Sequence, residues 1–179
     1  EVQSGFGRTG KMFAIEDTEC EPDIICMAKG IASGFPFAAI GTRREIDDKW
    51  ITGSHRGSYN GNPLGCAATL ATIEVLQSPG FLENVNRRGR QLIDGLRDLQ
   101  QVDPTMRHVR GRGLMIATEF QEPDRAQSIV EFCRRESNLL LLTAGTRNRT
   151  IRWMPPLTVT KDEVSKALGA FEAALRAVN

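Results

Sequence analysis

Apolar and polar positions along the chain follow two periods. Ile24-Ile25-Cys26-Met27-Ala28 is a short continuous apolar run, and Phe37-Ala38-Ala39-Ile40 is a second. Runs of this length predict buried strands. Residues 52–63 are rich in Gly, Ser and Asn and read as a loop. Pro63 can open the next helix, because the N–H it lacks has no partner at a first helical position. From Leu64 to Leu76 the residues are small or apolar on every side, which predicts a buried helix. Ser78-Pro79-Gly80 then breaks the chain. With Ser78 as cap and Pro79 in the first turn, a further helix is predicted. Phe81, Val85, Leu92, Leu96 and Leu99 stripe one side of it, and Arg87, Arg88, Arg90, Arg97 and Asp98 leave the other side solvated. Composition shifts here from Ala-rich to charged, which places a domain boundary near residues 77–80.

Beyond that boundary strands and helices alternate. Leu114 to Phe120 has strand character, with Arg110-Gly111-Arg112-Gly113 read as the turn leading into it. Asp124 to Ser137 predicts a helix with Ala126, Ile129, Val130 and Cys133 on one face. Leu139 to Leu142 and Thr150 to Met154 are short strands. Thr160-x-x-Glu163 is a capping box. The helix it opens carries Val164, Ala167, Leu168, Phe171, Ala174, Leu175 and Val178 at a 3.6-residue period. The alternation indicates an α/β class.

Composition narrows the function. The chain has 179 residues, 23 Lys+Arg against 22 Asp+Glu, and a formal net charge of +1. That balance argues against a nucleic-acid binder driven by a basic field. No apolar run reaches the roughly 20 residues of a membrane span. Cys20, Cys26, Cys66 and Cys133 form no CxxC and no Cys/His cluster, so no metal site is expected. Scattered cysteines read as reduced cytosolic thiols. The chain opens on Glu1 without an initiator Met, and its first ten residues look like the inside of a site. A fragment with a missing upstream half is expected; a processed chain is the alternative.

Several segments carry candidate chemistry. Gly5-Phe6-Gly7-Arg8-Thr9-Gly10 matches G-x-G-x-x-G, but the dinucleotide fingerprint needs a strand before it and a helix opening within it. Only four residues precede Gly5, so a Gly-rich turn that lets backbone pass close to something bulky is the better reading. Lys29 follows directly on the first apolar run and precedes Gly30. In a buried setting a lysine's pKa falls, and the neutral amine can form a Schiff base with an aldehyde. The alternative is a surface Lys at a strand end. Ser54 to Pro63 places hydroxyls and backbone amides ahead of a helix, a combination that suits a phosphate; an ordinary capped loop would look similar. Arg152 lies inside a short apolar strand. A buried guanidinium needs a carboxylate partner, from the protein or from a substrate.

The motifs in order are Glu1-Val2-Gln3-Ser4-Gly5-Phe6-Gly7-Arg8-Thr9-Gly10, Pro22-Asp23-Ile24 with Ala28-Lys29-Gly30, Gly57-Ser58-Tyr59-Asn60-Gly61-Asn62-Pro63-Leu64, Arg110-Gly111-Arg112-Gly113-Leu114-Met115, and Ile151-Arg152-Trp153-Met154-Pro155-Pro156-Leu157. Together they resemble the class III pyridoxal-phosphate-dependent aminotransferases over essentially the whole chain. The resemblance implies the C-terminal part of a fold type I transferase. Residues 1–77 would be the end of the large cofactor domain and 78–179 the small C-terminal α+β domain. Lys29 would carry pyridoxal 5′-phosphate and shuttle the substrate proton. Val2 would pack on the pyridine ring and Gln3 would hydrogen-bond its phenolic oxygen. Ser58 would contact the cofactor phosphate across a homodimer interface, and Arg152 would clamp the substrate carboxylate. Ser58 stands where the family usually has Thr, and Asn60 where many members have Gly.

The family's Asp that pairs with the pyridine nitrogen comes directly before the Glu-Val-Gln, so this chain starts one residue too late to hold it. The phosphate loop and the stacking aromatic lie further upstream. The implied activity is transfer of an amino group from an amino acid or ω-amino acid, 4-aminobutyrate-like, to a 2-oxo acid. The enzyme would be a cytoplasmic homodimer, and this piece inactive alone. The alternatives are a racemase or aminomutase on the same scaffold, a truncated non-catalytic partner chain, and, more distantly, a nucleotide-binding enzyme.

Overall fold

The computed structural model describes residues 1–178. They form two compact units, Glu1–Leu82 and the stretch from Glu83 onward. The division falls a few residues beyond the boundary expected at 77–80, inside the first turn of a helix.

In the first unit, turns run through Gly10 and lead to a 3-10 helix, Ala14–Asp17. Strand β1 (Ile24–Met27), a 3-10 turn (Lys29–Ala32), strand β2 (Ala39–Thr42), the one-turn helix α1 (Arg44–Asp47) and helix α2 (Pro63–Leu76) follow. β1 and β2 pair antiparallel, Ile24 opposite Thr42 and Met27 opposite Ala39. Phe37 does not join β2. Its ring lies against Gly65 of α2, where an added Cβ would sit 2.3 Å from it. Asn62 caps α2: the Leu64 N–H donates to Asn62 Oδ1 at 2.9 Å, and Pro63 takes the first helical position as expected.

Two expectations of burial fail in this unit. Ile24 and Ile40 are about half exposed, and α2 buries Gly65, Thr72 and Leu76 while exposing Leu64, Leu70 and Val75. A helix apolar on all sides needs cover on all sides, and this unit covers one. Ser78 is not the cap of the next helix either. Its hydroxyl donates to the Val75 carbonyl at 2.6 Å and closes α2. Gly80, at φ +84°, makes the turn before α3 (Phe81–Val102).

The second unit orders its strands β3-β4-β6-β5, all antiparallel. These are β3 (Met106–Arg112), β4 (Met115–Phe120), β5 (Leu142–Ala144) and β6 (Thr150–Trp153), joined with α4 (Pro123–Glu136) and α5 (Lys161–Ala177). β3 is a strand where a turn was expected; the turn itself is only Gly113-Leu114. Strand β5 starts at Leu142, later than the apolar run suggested. The capping box of α5 forms, with the Thr160 N–H donating to Glu163 Oε2 at 2.8 Å and the Glu163 N–H donating to Thr160 Oγ1 at 3.3 Å.

One sheet face is the core. Ile116, Thr118 and Phe120 of β4 and Ile151 and Trp153 of β6 are buried there. The Trp153 indole N–H donates to Thr118 Oγ1 at 3.2 Å, which satisfies both buried polar atoms. Phe171 of α5 meets Trp153 edge-on at 4.7 Å and Phe120 at 6.4 Å. Ala126, Ile129 and Cys133 of α4 and Val85, Leu92 and Leu96 of α3 complete the core. Asp103 and Arg125 tie the far end together. Arg125 donates to Asp103 Oδ2 at 2.8 Å and to the Leu175 carbonyl at 3.1 Å, and Thr105 donates to Asp103 Oδ1 from its N–H and its hydroxyl. Burial pushes the Asp103 carboxyl up, but the hydrogen bonds from Thr105 and Arg125 and the Arg125 charge hold it below its ordinary value. The other sheet face carries His108, Arg110, Arg112, Met115, Ala117, Glu119, Thr150, Arg152 and Leu142. Among the described residues no helix is long and apolar enough to cross a membrane.

Candidate functional site

Lys29 sits where β1 ends and the 3-10 turn begins. Its backbone adopts φ +50°, the left-handed region that few non-glycine residues occupy. Such conformations cost energy, persist where the surroundings fix them, and cluster at functional sites. Here the fixing groups are next along the chain. Ile31 and Ala32 are buried under α2, the Ile31 N–H donates to the Ala28 carbonyl at 3.1 Å, and Thr72 of α2 donates to Ser33 Oγ at 3.2 Å. The turn is therefore clamped on its C-terminal side while Lys29 itself is exposed. Its amine makes no hydrogen bond or ion pair among the described residues. The burial expected around this lysine is not supplied by these residues, because β1 exposes alternate side chains rather than packing both faces.

The N-terminal turn meets the glycine that follows this lysine. Phe6, buried and itself at φ +54°, stands against Gly30, where an added Cβ would lie 3.4 Å from the Phe6 Cβ. The phenyl ring also packs edge-on with Phe13 at 5.5 Å. Glu1 anchors the turn. Its carboxylate accepts from Ser4 Oγ at 2.5 Å and from the Ile15 N–H at 2.8 Å. Val2 is left partly exposed and Gln3 half-buried. The G-x-G-x-x-G stretch is a run of turns with Gly7 and Gly10 at positive φ, and no α-helix opens within it. It lacks the strand–turn–helix frame of a dinucleotide site.

Ser58 lies exposed in the loop before α2, beside a shallow depression shared with His55, Arg56, Gly57 and Asn60. Its hydroxyl makes no hydrogen bond among the described residues. Arg152 belongs to the second unit. Ile151 and Trp153 turn into the core, so Arg152 points to the other face, where it pairs in register with Ala117 on one side and Leu142 on the other. The guanidinium has no carboxylate partner among the described residues, and its Nε is buried without a hydrogen bond. An arginine so placed has capacity for an incoming carboxylate. Sequence reasoning missed the ion pairs beside it. Glu119 accepts from Arg110 at 2.8 Å and from Arg149 at 2.6 Å. The alternation of β4, which puts Glu119 on the face of Ala117, was the signal that could have found it.

Known aminotransferases resemble this chain in structure. An aminotransferase from Bacillus anthracis superposes with a TM-score of 0.91 at 29% identity, over 99% of this chain and 44% of that one. The ornithine δ-aminotransferase of Plasmodium falciparum superposes with a TM-score of 0.89 at 28% identity, over 99% of this chain and 45% of that one. The family model Aminotransferase class-III matches residues 1–175, and the chain belongs to that family. Acetylornithine aminotransferase of Clostridium acetobutylicum is 38% identical, over 98% of this chain and 44% of its own length. 4-Aminobutyrate aminotransferase of Mycobacterium bovis is 41% identical, over 94% and 39%. The chain thus spans less than half the length of the curated relatives it matches. The family's enzymes depend on pyridoxal phosphate.

Proposed function

We propose that the enzyme carrying this chain transfers an amino group from an amino acid or ω-amino acid, 4-aminobutyrate-like, to a 2-oxo acid. The observation that carries the proposal is Lys29: an unpartnered amine on a clamped, left-handed turn, with Phe6 of the N-terminal turn against the neighbouring Gly30. These residues fit pyridoxal phosphate, which when bound supplies an aldehyde carbon and an electron-withdrawing ring. Lys29 is the nucleophile toward that carbon. Its amine would also hold and move the substrate proton. Val2 would pack on the ring, and Gln3 would hydrogen-bond its phenolic oxygen. Ser58 offers a hydroxyl to the phosphate, in the partner subunit of a homodimer. Arg152 binds the substrate carboxylate through two parallel N–H bonds.

In this reading the first unit is the end of the cofactor domain and the second the small domain. The exposed apolar residues of β1, β2 and α2 are surfaces the rest of such an enzyme would cover. The reading extends to a cytosolic compartment, which the four free cysteines favour.

The test is chemical. Borohydride treatment of the cofactor-loaded, full-length enzyme should fix the cofactor permanently to the peptide containing Lys29. Lys29→Ala should abolish the labelling and leave the fold intact, because Ile31 and Ala32 rather than the amine pack the turn. Lys29→Arg should not restore it, since a guanidinium stays protonated. Label on Lys11, Lys49, Lys161 or Lys166 instead would overturn the assignment.

A further inference from the structure

One residue closes the N-terminal turn twice. The Gly5 N–H donates to the Glu1 carbonyl at 3.2 Å, which folds Val2, Gln3 and Ser4 into a loop. The Glu1 side chain then reaches both across that loop and out of it. Ser4 Oγ donates to Oε2 at 2.5 Å, and the Ile15 N–H donates to Oε1 at 2.8 Å. The Ala14 N–H adds a further bond to the carboxylate. Ala14 and Ile15 are the first two residues of the 3-10 helix Ala14–Asp17, so their N–H groups have no acceptor within that helix. Glu1 supplies it from 14 residues away. Burial pushes the Glu1 carboxyl up, but the bonds from Ser4, Ile15 and Ala14 hold it below its ordinary value, as an ionised acceptor.

The loop and the helix are joined at two ends. At one, the Gly7 N–H donates to the Met12 carbonyl at 3.3 Å and buried Phe6 packs edge-on against Phe13. At the other, beside Val2 and Gln3, the join is the Glu1 carboxylate. The fit between the two is close: an added Cβ on Gly5 would stand 2.9 Å from the Glu1 carbonyl oxygen and 3.3 Å from the Phe13 ring. Hydrogen bonds to an ionised acceptor are about twice as strong as neutral ones, so this carboxylate is a firm anchor for the backbone of residues 2 and 3.

We propose that Glu1 is a positioning residue: by pinning its loop to the Ala14–Asp17 helix, it aims the Gln3 amide at the phenolic oxygen of the cofactor ring. The proposal rests on the reading of Gln3 given above. Gln3 is half-buried and lies inside the turn that Glu1 closes. A side chain carried on a fixed backbone loses less freedom when it binds, so the anchoring is expressed as cofactor affinity. A donor at the phenolic oxygen also stabilises charge there, so the visible band of the bound cofactor reports the same contact.

The experiment uses the full-length enzyme, stripped of cofactor and titrated with pyridoxal phosphate. It reads the Kd and the position of the visible band. A variant that only unfolds loses band height and keeps band position. Gln3→Ala should weaken the cofactor on the order of tenfold, the worth of one hydrogen bond, and shift the band. Glu1→Ala should do the same in the same direction. In Glu1→Ala/Gln3→Ala the losses should not add, because both act on one bond. Glu1→Gln should return the parent values within about twofold, since its amide oxygen can accept from Ile15 while its NH2 donates to Ser4 Oγ. If Glu1→Ala does not fold, Glu1→Asp carries the same expectation, because the shorter arm cannot hold Ser4 and Ile15 together without moving the loop. Parent affinity and band position in the Glu1 variant, losses that multiply to about a hundredfold in the double variant, or Glu1→Gln no better than Glu1→Ala would each overturn the proposal alone. If Gln3→Ala leaves affinity and band unchanged, the reading of Gln3 is itself wrong and the proposal falls with it.

Discussion

The same substitution at two helical glycines should change stability in opposite directions. Gly89 lies in α3 where that helix crosses the β3–β4 turn. A Cβ built there would stand 2.2 Å from the Gly113 carbonyl oxygen, 2.6 Å from its carbon and 3.0 Å from its Cα. All three are backbone atoms, so no side chain can swing aside; helix and turn must separate. Overpacking of this kind costs typically about 1–3 kcal/mol, and a contact this short belongs at or beyond the upper end. Alanine is favoured over glycine in a helix interior by roughly 1 kcal/mol, so Gly89→Ala should lose about 2 kcal/mol net. Gly169 in α5 has nothing within 4 Å of its Cβ position, so Gly169→Ala should keep the whole gain of about 1 kcal/mol. Urea unfolding of the second unit can be followed through Trp153, which is 2% exposed, in a Trp50→Phe background. The expected result is a lower midpoint for Gly89→Ala and a higher one for Gly169→Ala, with unchanged slopes. If Gly89→Ala matched or exceeded the parent, α3 would not approach the turn this closely. The outcome bears on the site as well, because this hairpin carries Arg110 and Glu119.

Other outcomes follow from individual side chains. Asp103→Asn should cost about 3–5 kcal/mol, because Arg125, 14% exposed, keeps its charge and loses its carboxylate. Asp103 titrates below its ordinary 3.8 in the folded chain, so its contribution is complete above that value and lost as pH falls through the lower, folded value. Acid titration of parent and variant should therefore show their stabilities converging only at pH below about 4; convergence near neutrality would contradict the linkage. Cys133 is buried and its thiol is pushed up to about 11 by burial, whereas Cys20, Cys26 and Cys66 are exposed. A maleimide at neutral pH should label those three in the native 179-residue chain and reach Cys133 only after unfolding, as peptide mapping would show. Arg152→Ala in the full-length enzyme should lower kcat/KM for a carboxylate donor by about 2–5 kcal/mol in transition-state terms and barely affect a simple amine. Equal losses for both donors would make Arg152 structural.

Much of this protein is written locally in its sequence. The α5 helix has its capping box and its 3.6-residue stripe within a few turns of each other, and it forms as the pattern predicts. The same holds for α4, β1, β4 and β6, and for Pro63 at the start of α2. In each, the information lies in neighbouring residues, through hydrogen bonds and apolar periods that need no distant partner. Lys29 and Arg152 stand out in the sequence for a similar reason: each is a charged residue set against an apolar run.

Tertiary structure decided the rest. The β3 strand, Met106–Arg112, carries three arginines and a histidine in seven residues, and it pairs along its length with β4. Strand formation there depends on cross-strand pairing, which no local window contains. β1 and α2 are only partly covered within this chain, because apolar composition states what a segment tolerates, while burial requires something to cover it. The left-handed turn at Lys29 is held by Ile31, Ala32 and Thr72, from a helix more than thirty residues on. The Asp103–Arg125 lock and the Glu119 pairs join residues distant in the chain. Whether a charge is neutralised depends on distances that only the folded register sets, as the pairs of Glu119 with Arg110 and Arg149 show.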